Sequence, residues 1–350
     1  MPSLWMLLAL AVAMPLPATG QSIDAARARE LEHLVRQDCG SCHGMTLKGG
    51  LGPDLRPASL VSYDAASLAS IILEGVPAGK ALDMSQVGPI FGFDGVVEGS
   101  HDVSVIAGAE VVVVTAGFPR KPGMDRMDLL RKNVEIASAS GEAIKKHAPN
   151  AVVIVVTNPL DVMTWVVQQN TGFPAHRVVG MAGILDSARF STFIAMELGC
   201  SPIDVKAMVL GGHGDSMVPL PRFSTVGGVP ITELMSAERI EELSNRTRNG
   251  GAEIVKLLGT GSAYYAPGAA AALMTEAILN DSDRLLPCSA YLDGVYGLSG
   301  MYCGVPVHLG KDGISKIVEL ELNDAEREML HASAGGVASG IADVQSLATA

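Results

Sequence analysis

Residues 111–159 read VVVVTAGFPRKPGMDRMDLLRKNVEIASASGEAIKKHAPNAVVIVVTNP. The segment opens on a continuous apolar run, Val111 to Val114, closed by Thr115-Ala116-Gly117. An unbroken β-branched run of this length marks a strand covered on both faces, as in a parallel sheet. The stretch Gly117 to Met127 holds Pro119, Pro122, Gly123 and the basic residues Arg120, Lys121 and Arg126, so it reads as a loop. Leu130, Val134, Ala137, Gly141 and Ile144 then step by four, three, four and three, an apolar stripe of helical period that ends at Pro149-Asn150. Ala151 to Val156 is a second buried strand, closed by Thr157-Asn158-Pro159. Strand, helix and strand with short links predict a right-handed crossover in a parallel sheet.

Working outward, longer helices and hairpin-like pieces past about Asp186 predict a second, mixed domain. Asn323-Asp324-Ala325-Glu326 predicts the capped start of a last helix. Upstream the grammar differs. Ile23 to Arg36 and Asp64 to Leu73 read as helices separated by a Gly/Pro-rich stretch, with no strand. The formal net charge of −12 argues against nucleic acid or an anionic membrane surface as a partner. Cys200, Cys288 and Cys303 are scattered among apolar or small residues, so they read as reduced, buried thiols rather than a disulfide framework.

Gly211-Gly212-His213-Gly214-Asp215 sets an imidazole among glycines that admit close approach. Leu185-Asp186-Ser187-Ala188-Arg189 supplies a carboxylate and a guanidinium. An Asp on one imidazole nitrogen fixes the tautomer and leaves the other nitrogen to accept a proton. The planar fork of an arginine suits a carboxylate. Taken singly, each piece has a plainer reading: a solvated basic loop, an Asn capping a strand, an Asp–Arg pair on a helix surface. In this order and combination they resemble the lactate/malate dehydrogenase family over about Val76 to Ala350.

That resemblance implies an α/β fold: a truncated Rossmann-type parallel sheet plus a mixed α+β C-terminal substrate domain, with NAD-binding residues 76–160 and substrate residues 161–350. It implies His213 as proton acceptor with Asp186 as its partner. It also implies Arg189 on the substrate carboxylate, Asn158 on the hydroxyl or keto oxygen, and Arg126 polarising that oxygen. Asn133, Val156 and Asn158 are the implied NAD contacts. Arg120 implies the malate branch, because a cation there pairs with a second carboxylate and rejects a methyl group. A small dicarboxylate, a homodimer or homotetramer and a cytoplasmic location complete the expectation.

The family opens with a strand, a Gly-x-Gly-x-x-Gly turn and a helix, then a second strand ending in an acid. No such turn occurs in residues 1–110, and the nearest acid, Glu74, follows a predicted helix rather than a strand. Two strands of the sheet are therefore expected to be missing. In their place, residues 1–20 read as a cleaved export signal, with an anchor or a buried helix as alternatives. Cys39-Gly40-Ser41-Cys42-His43 is a C-x-x-C-H haem attachment pattern, with a thioredoxin-like pair and half a zinc site as competing readings. Residues 21–75 resemble a small all-α segment of class I cytochrome c. The resemblance implies covalent haem c on Cys39 and Cys42, iron ligated by His43, and Met84 as the distal ligand. Export to the periplasm, with no membrane span left after signal cleavage, agrees with it. Three readings follow: an NAD-dependent dehydrogenase carrying a foreign graft, an exported c-type electron carrier, and a fusion without activity.

Overall fold

The computed structural model describes residues 65–92, 95–118, 126–259 and 262–349. The leader and the Cys39, Cys42 and His43 motif lie outside the described residues, as do Arg120 and the loop around it. The chain divides into two compact units, one up to Val105 and one from Ile106 onward.

In the first unit, α1 spans Ala65–Phe91. The helix was expected to stop at Leu73, before Gly75-Val76-Pro77. It continues for another eighteen residues because the segment after Pro77 is rich in helix formers such as Ala78, Lys80, Ala81 and Leu82. Met84 lies on this helix with 57% of its surface exposed.

The second unit is built on one sheet. In chain order, β1 (Val111–Val114), α2 (Arg126–His147), β2 (Val152–Val155), α3 (Leu160–Thr171), β3 (Val178–Gly180) and α4 (Gly183–Leu198) alternate as anticipated. β1 pairs with β2 and β2 with β3, both parallel. The helix α2 begins at Arg126, so it takes in the last two residues of what was read as loop. Short strands follow: β4 (Val205–Lys206), β5 (Val209–Leu210), β6 (Val218–Pro219), β7 (Thr225–Val226) and β8 (Val229–Pro230). Then come α5 (Ala237–Leu258), α6 (Tyr265–Leu279), β9 (Arg284–Asp293), β10 (Ser299–Gly310), β11 (Gly313–Ile317) and α7 (Asp324–Thr349). β9 joins β3 antiparallel, so the sheet order is β1-β2-β3-β9-β10-β11. Among the described residues no strand pairs with the outer edge of β1.

The alternation of β2 explains the layering. Val152 and Ile154 belong to a core shared with α6, β9 and β10, whereas Val153 and Val155 belong to one shared with α2, α3 and α7. All four are at most 2% exposed. Each such side chain contributes about 1.5–3 kcal/mol relative to exposure, which is why this strand carries apolar residues on both faces. A third core lies between α4 and α5 around Phe190, Ile194, Met217 and Leu243. The predicted cap is present: Asn323 N–H donates to Glu326 Oε2 and Glu326 N–H to Asn323 Oδ1, each at 2.9 Å. Cys288 and Cys303 are buried free thiols and Cys200 is a half-buried one.

Candidate active site

The site forms where the carboxyl end of β2, the first turns of α3 and α4, and the loop after β5 converge. Asp186 lies in the first turn of α4, with Arg189 one helical turn further along the same face. Asp186 Oδ2 is 2.9 Å from His213 Nδ1, and Asp186 Oδ1 accepts from Arg189 Nη1 at 3.2 Å. One buried carboxylate thus bridges imidazole and guanidinium. A carboxylate only accepts, so the Nδ1 proton faces Asp186 and Nε2 keeps its lone pair.

Burial pushes the His213 imidazole toward its neutral form. The Asp186 carboxylate and its hydrogen bond, together with the Asp161 charge, outweigh that effect, and Arg189 opposes them weakly. The net result is a pKa above that of an ordinary histidine. The other end of the site is marked by Arg189 itself. Its Nε is buried with no hydrogen-bond partner, a position that costs free energy unless an acceptor arrives. Gly250 and Gly251 of α5 border its side chain, and a Cβ on Gly250 would stand 3.2 Å from Arg189 Cδ. The absence of a side chain at Gly250 lets α5 pack closely on the Arg189 side chain.

The His213 loop is tied down on several sides. Gly211 exchanges two backbone hydrogen bonds with Gly304 of β10, at 2.9 and 3.0 Å. A Cβ on Gly304 would stand 2.5 Å from the Gly211 carbonyl, so this close approach requires glycine. Gly212 N–H donates to Ser333 Oγ at 2.8 Å, and His213 N–H donates to Asp161 Oδ2 at 2.8 Å. Val209 N–H donates to Ser187 Oγ at 3.1 Å, locking β5 to α4 beside Asp186.

Thr157-Asn158-Pro159 caps β2 as foreseen, with a cis Asn158–Pro159 bond and Asn158 exposed. The Thr157 hydroxyl donates to Ala116 O at 2.7 Å and so ties the ends of β1 and β2 together. Val156 is half-buried, its N–H donated to Val114 O at 2.8 Å. Asn133 of α2 is tied to both loops. It is 2% exposed, and its amide accepts from Phe118 N–H at 2.6 Å and donates to Asn158 O at 2.8 Å and to Phe118 O at 3.3 Å. Its amide clamps the Phe118 and Asn158 backbones together at the crevice.

The structure therefore brings together His213, Asp186 and Arg189, with Asn158 on the neighbouring turn. Arg126 is the first residue of α2, and Arg120 lies outside the described residues. Sequence reasoning missed Asp161, Ser289 and Ser333. An acid in a helix's first turn ordinarily reads as a match to the helix dipole, and partners 52 to 128 residues away leave no local signal. Among the described residues, no group of three or more His, Cys, Asp or Glu is placed to hold a metal, and no helix is long and apolar enough to cross a membrane.

Comparison with known proteins gives a consistent result. The family profile described as lactate/malate dehydrogenase, NAD binding domain, matches residues 59–180, beginning ahead of the residue 76 at which the motifs start. The alpha/beta C-terminal domain of the same family matches residues 184–347. A malate dehydrogenase of Roseiflexus sp. strain RS-1 is 54% identical over 276 residues, which is 79% of this chain and 89% of that protein. One from Cereibacter sphaeroides is 55% identical over 271 residues, 76% of this chain and 85% of its own length. The solved malate dehydrogenase of Salinibacter ruber superposes with a TM-score of 0.75 at 51% identity, covering 79% of this chain and 88% of that one. Residues before 59 lie outside both family profiles, and the NAD binding domain profile takes in residues 59–75, which had been read with the cytochrome-like segment. Two domain profiles, relatives above 50% identity and a bridged His–Asp–Arg centre all lead to one assignment: the chain belongs to the lactate/malate dehydrogenase family.

Proposed function

We propose that the chain is an NAD-dependent malate dehydrogenase, with His213 as the proton acceptor in the reversible oxidation of (S)-malate to oxaloacetate. The observation that carries this reading is the single carboxylate of Asp186, which holds both His213 Nδ1 and Arg189. It fixes proton acceptor and carboxylate binder in one rigid unit.

The described residues fit the nicotinamide end of NAD. β1 and β2 end side by side, and a Cβ on Gly117 would stand 2.7 Å from Thr157 Cγ2. Backbone-lined strand ends of this kind are where open α/β sheets receive ligands. NAD, when bound, accepts the hydride from the hydroxyl-bearing carbon. His213 Nε2 takes the hydroxyl proton, and Asp186 stabilises the resulting imidazolium. Arg189 meets the carboxylate next to the reacting carbon, satisfying its orphaned Nε. Asn158 bonds the substrate oxygen, Arg126 polarises it, and Arg120 pairs with the second carboxylate. Residues 76–160 serve NAD and 161–350 the substrate, in a dimer or tetramer located in the cytoplasm unless the leader directs export.

The test of substrate class is NADH oxidation with oxaloacetate against pyruvate. Oxaloacetate is the expected substrate, and the replacement Arg120→Gln is expected to reverse much of the preference. Preference of the unmodified chain for pyruvate would sink the assignment.

The raised pKa of His213 sets a pH dependence. Malate oxidation needs the neutral imidazole, so its kcat/KM falls as pH drops through a midpoint above 6.5. Oxaloacetate reduction needs the imidazolium, so its kcat/KM falls as pH rises through that same midpoint. Parallel pH profiles in the two directions would contradict the role.

For the amino-terminal segment, a second reading rests on the Cys39-Gly40-Ser41-Cys42-His43 pattern alone. There, covalent haem c would sit on Cys39 and Cys42, with His43 and Met84 on the iron and the chain acting as an exported electron carrier. Haem staining after denaturing electrophoresis, on chain made in a host that matures c-type cytochromes, is expected to colour the band. A colourless band ends that reading.

A further inference from the structure

Asp161 is a second buried carboxylate at the site, and none of the roles above uses it. It is 4% exposed, in the first turn of α3. Its Oδ2 accepts the His213 backbone N–H at 2.8 Å and its Oδ1 accepts the Ser289 hydroxyl at 2.6 Å. Among the described residues, no Lys or Arg side chain forms an ion pair with it. Gly212 permits the approach, since a Cβ there would stand 3.5 Å from Asp161 Oδ2 and only 2.9 Å from Val337 Cγ2.

Asn158 and Asp161 are three residues apart, on the turn that leads from β2 into α3. One end of that turn carries the amide assigned to the substrate oxygen, and the other end grips the backbone of the proton acceptor. We infer that Asp161 is a positioning residue for the proton transfer: an ionised carboxylate behind the His213 backbone that registers the imidazole against Asn158 and stabilises the imidazolium. The role rests on reading His213 as the proton acceptor.

Charge assignment follows from the surroundings. Both hydrogen bonds at Asp161 are donated to it, and the N-terminus of α3 adds positive potential; all three favour the anion. Burial opposes them and pushes its pKa up, and the nearby Asp186 carboxylate adds to that push. The groups facing the pair are Asp186 and Arg189 from α4, and Cys303 from β10. Burial and the Asp161 charge raise the pKa of the Cys303 thiol, so it stays neutral. An anionic Asp161 favours the His213 imidazolium, and the Arg189 charge opposes it.

The replacement Asp161→Asn keeps an oxygen for the His213 N–H and removes the charge. Histidine-selective NMR titration of the full chain, with the His213 signal assigned by its loss in His213→Gln, reads the effect without turnover. The His213 midpoint is expected to fall by roughly one pH unit in Asp161→Asn. An unchanged midpoint in a folded protein overturns the inference and leaves Asp161 a structural anchor. Should Asp161→Asn not fold, Ser289→Ala is the second variant: it removes one donor to the carboxylate and is expected to lower the midpoint by less. No shift there overturns the inference equally. A chain that titrates as expected yet does not turn over oxaloacetate refutes the functional reading while leaving the coupling intact.

Discussion

Replacing His213 with glutamine is expected to lower kcat for oxaloacetate reduction by about 10²- to 10⁴-fold, the range in which a positioned general acid contributes. Glutamine fills similar space and can keep one hydrogen bond to Asp186 Oδ2, but it has no proton to give at neutral pH. The chemical step therefore loses its acid while Arg189 still holds the substrate carboxylate, so KM should change little. Asp186→Asn is expected to lower kcat by a comparable factor for a different reason. The amide has one acceptor oxygen where the carboxylate has two, so it cannot both fix the Nδ1–H tautomer and hold Arg189 Nη1, now at 3.2 Å, and it brings no charge to stabilise the imidazolium. KM should rise in that variant alone. Combining the two changes should cost little more than either, because they disable one unit. Steady-state kinetics on the two single variants and the double variant decide this; additive losses would mean that the residues act independently.

The second large effect is at Arg189. Its Nε is buried and unpartnered, so a substrate carboxylate satisfies a donor that otherwise stands desolvated. Removing one partner of a buried, hydrogen-bonded charge pair costs about 2–5 kcal/mol, or about 10¹·⁵- to 10³·⁵-fold in affinity. Arg189→Met should therefore raise KM for oxaloacetate over that range and lower kcat less. Lysine should rescue poorly, since a point charge cannot present the planar fork. A KM unchanged in Arg189→Met would remove this residue from the substrate site. Its close packing on Gly250 also predicts that Gly250→Val, by displacing the Arg189 side chain, mimics the Met variant.

The legible parts of the fold share a physical cause. β2 and α2 repeat their apolar residues at periods imposed by covering both faces of a sheet or one face of a helix, so the Val152–Val155 run and the Leu130-to-Ile144 stripe declare themselves. β1 is the strand its apolar run implies, but only Val114 of it is buried and Val113 is 38% exposed, so the expected cover on both faces is not found among the described residues. The capping box at Asn323 and Glu326 is equally local. The extent of α1 was not legible, because Gly75-Val76-Pro77 carries the same breaker signal whether a helix ends there or runs through it. Nor was the attachment of β9 to β3, a pairing between segments about a hundred residues apart whose register shows only in Gly180 opposite Ser289.

The site divides the same way. His213, Asp186, Arg189 and Asn158 are visible as residue types the chemistry needs. Asp161 is invisible because its meaning comes from Ser289 and the His213 backbone, far away in sequence. The clamp that Asn133 of α2 makes between the Phe118 and Asn158 backbones is equally invisible, because its partners lie 15 and 25 residues away. The glycine-rich turn is absent from the sequence of residues 1–110, and among the described residues β1 is the outermost strand of the sheet.

The central claim is that this chain, with its unusual amino terminus, retains a working dehydrogenase centre around His213. The most direct measurement is the initial rate of NADH oxidation by purified full-length protein with oxaloacetate, read by absorbance beside the His213→Gln variant prepared identically. The expected result is oxaloacetate-dependent loss of NADH by the unmodified chain, with that rate cut by at least about 10²-fold in the variant. Equal rates for the two proteins, or no turnover by either, would contradict it.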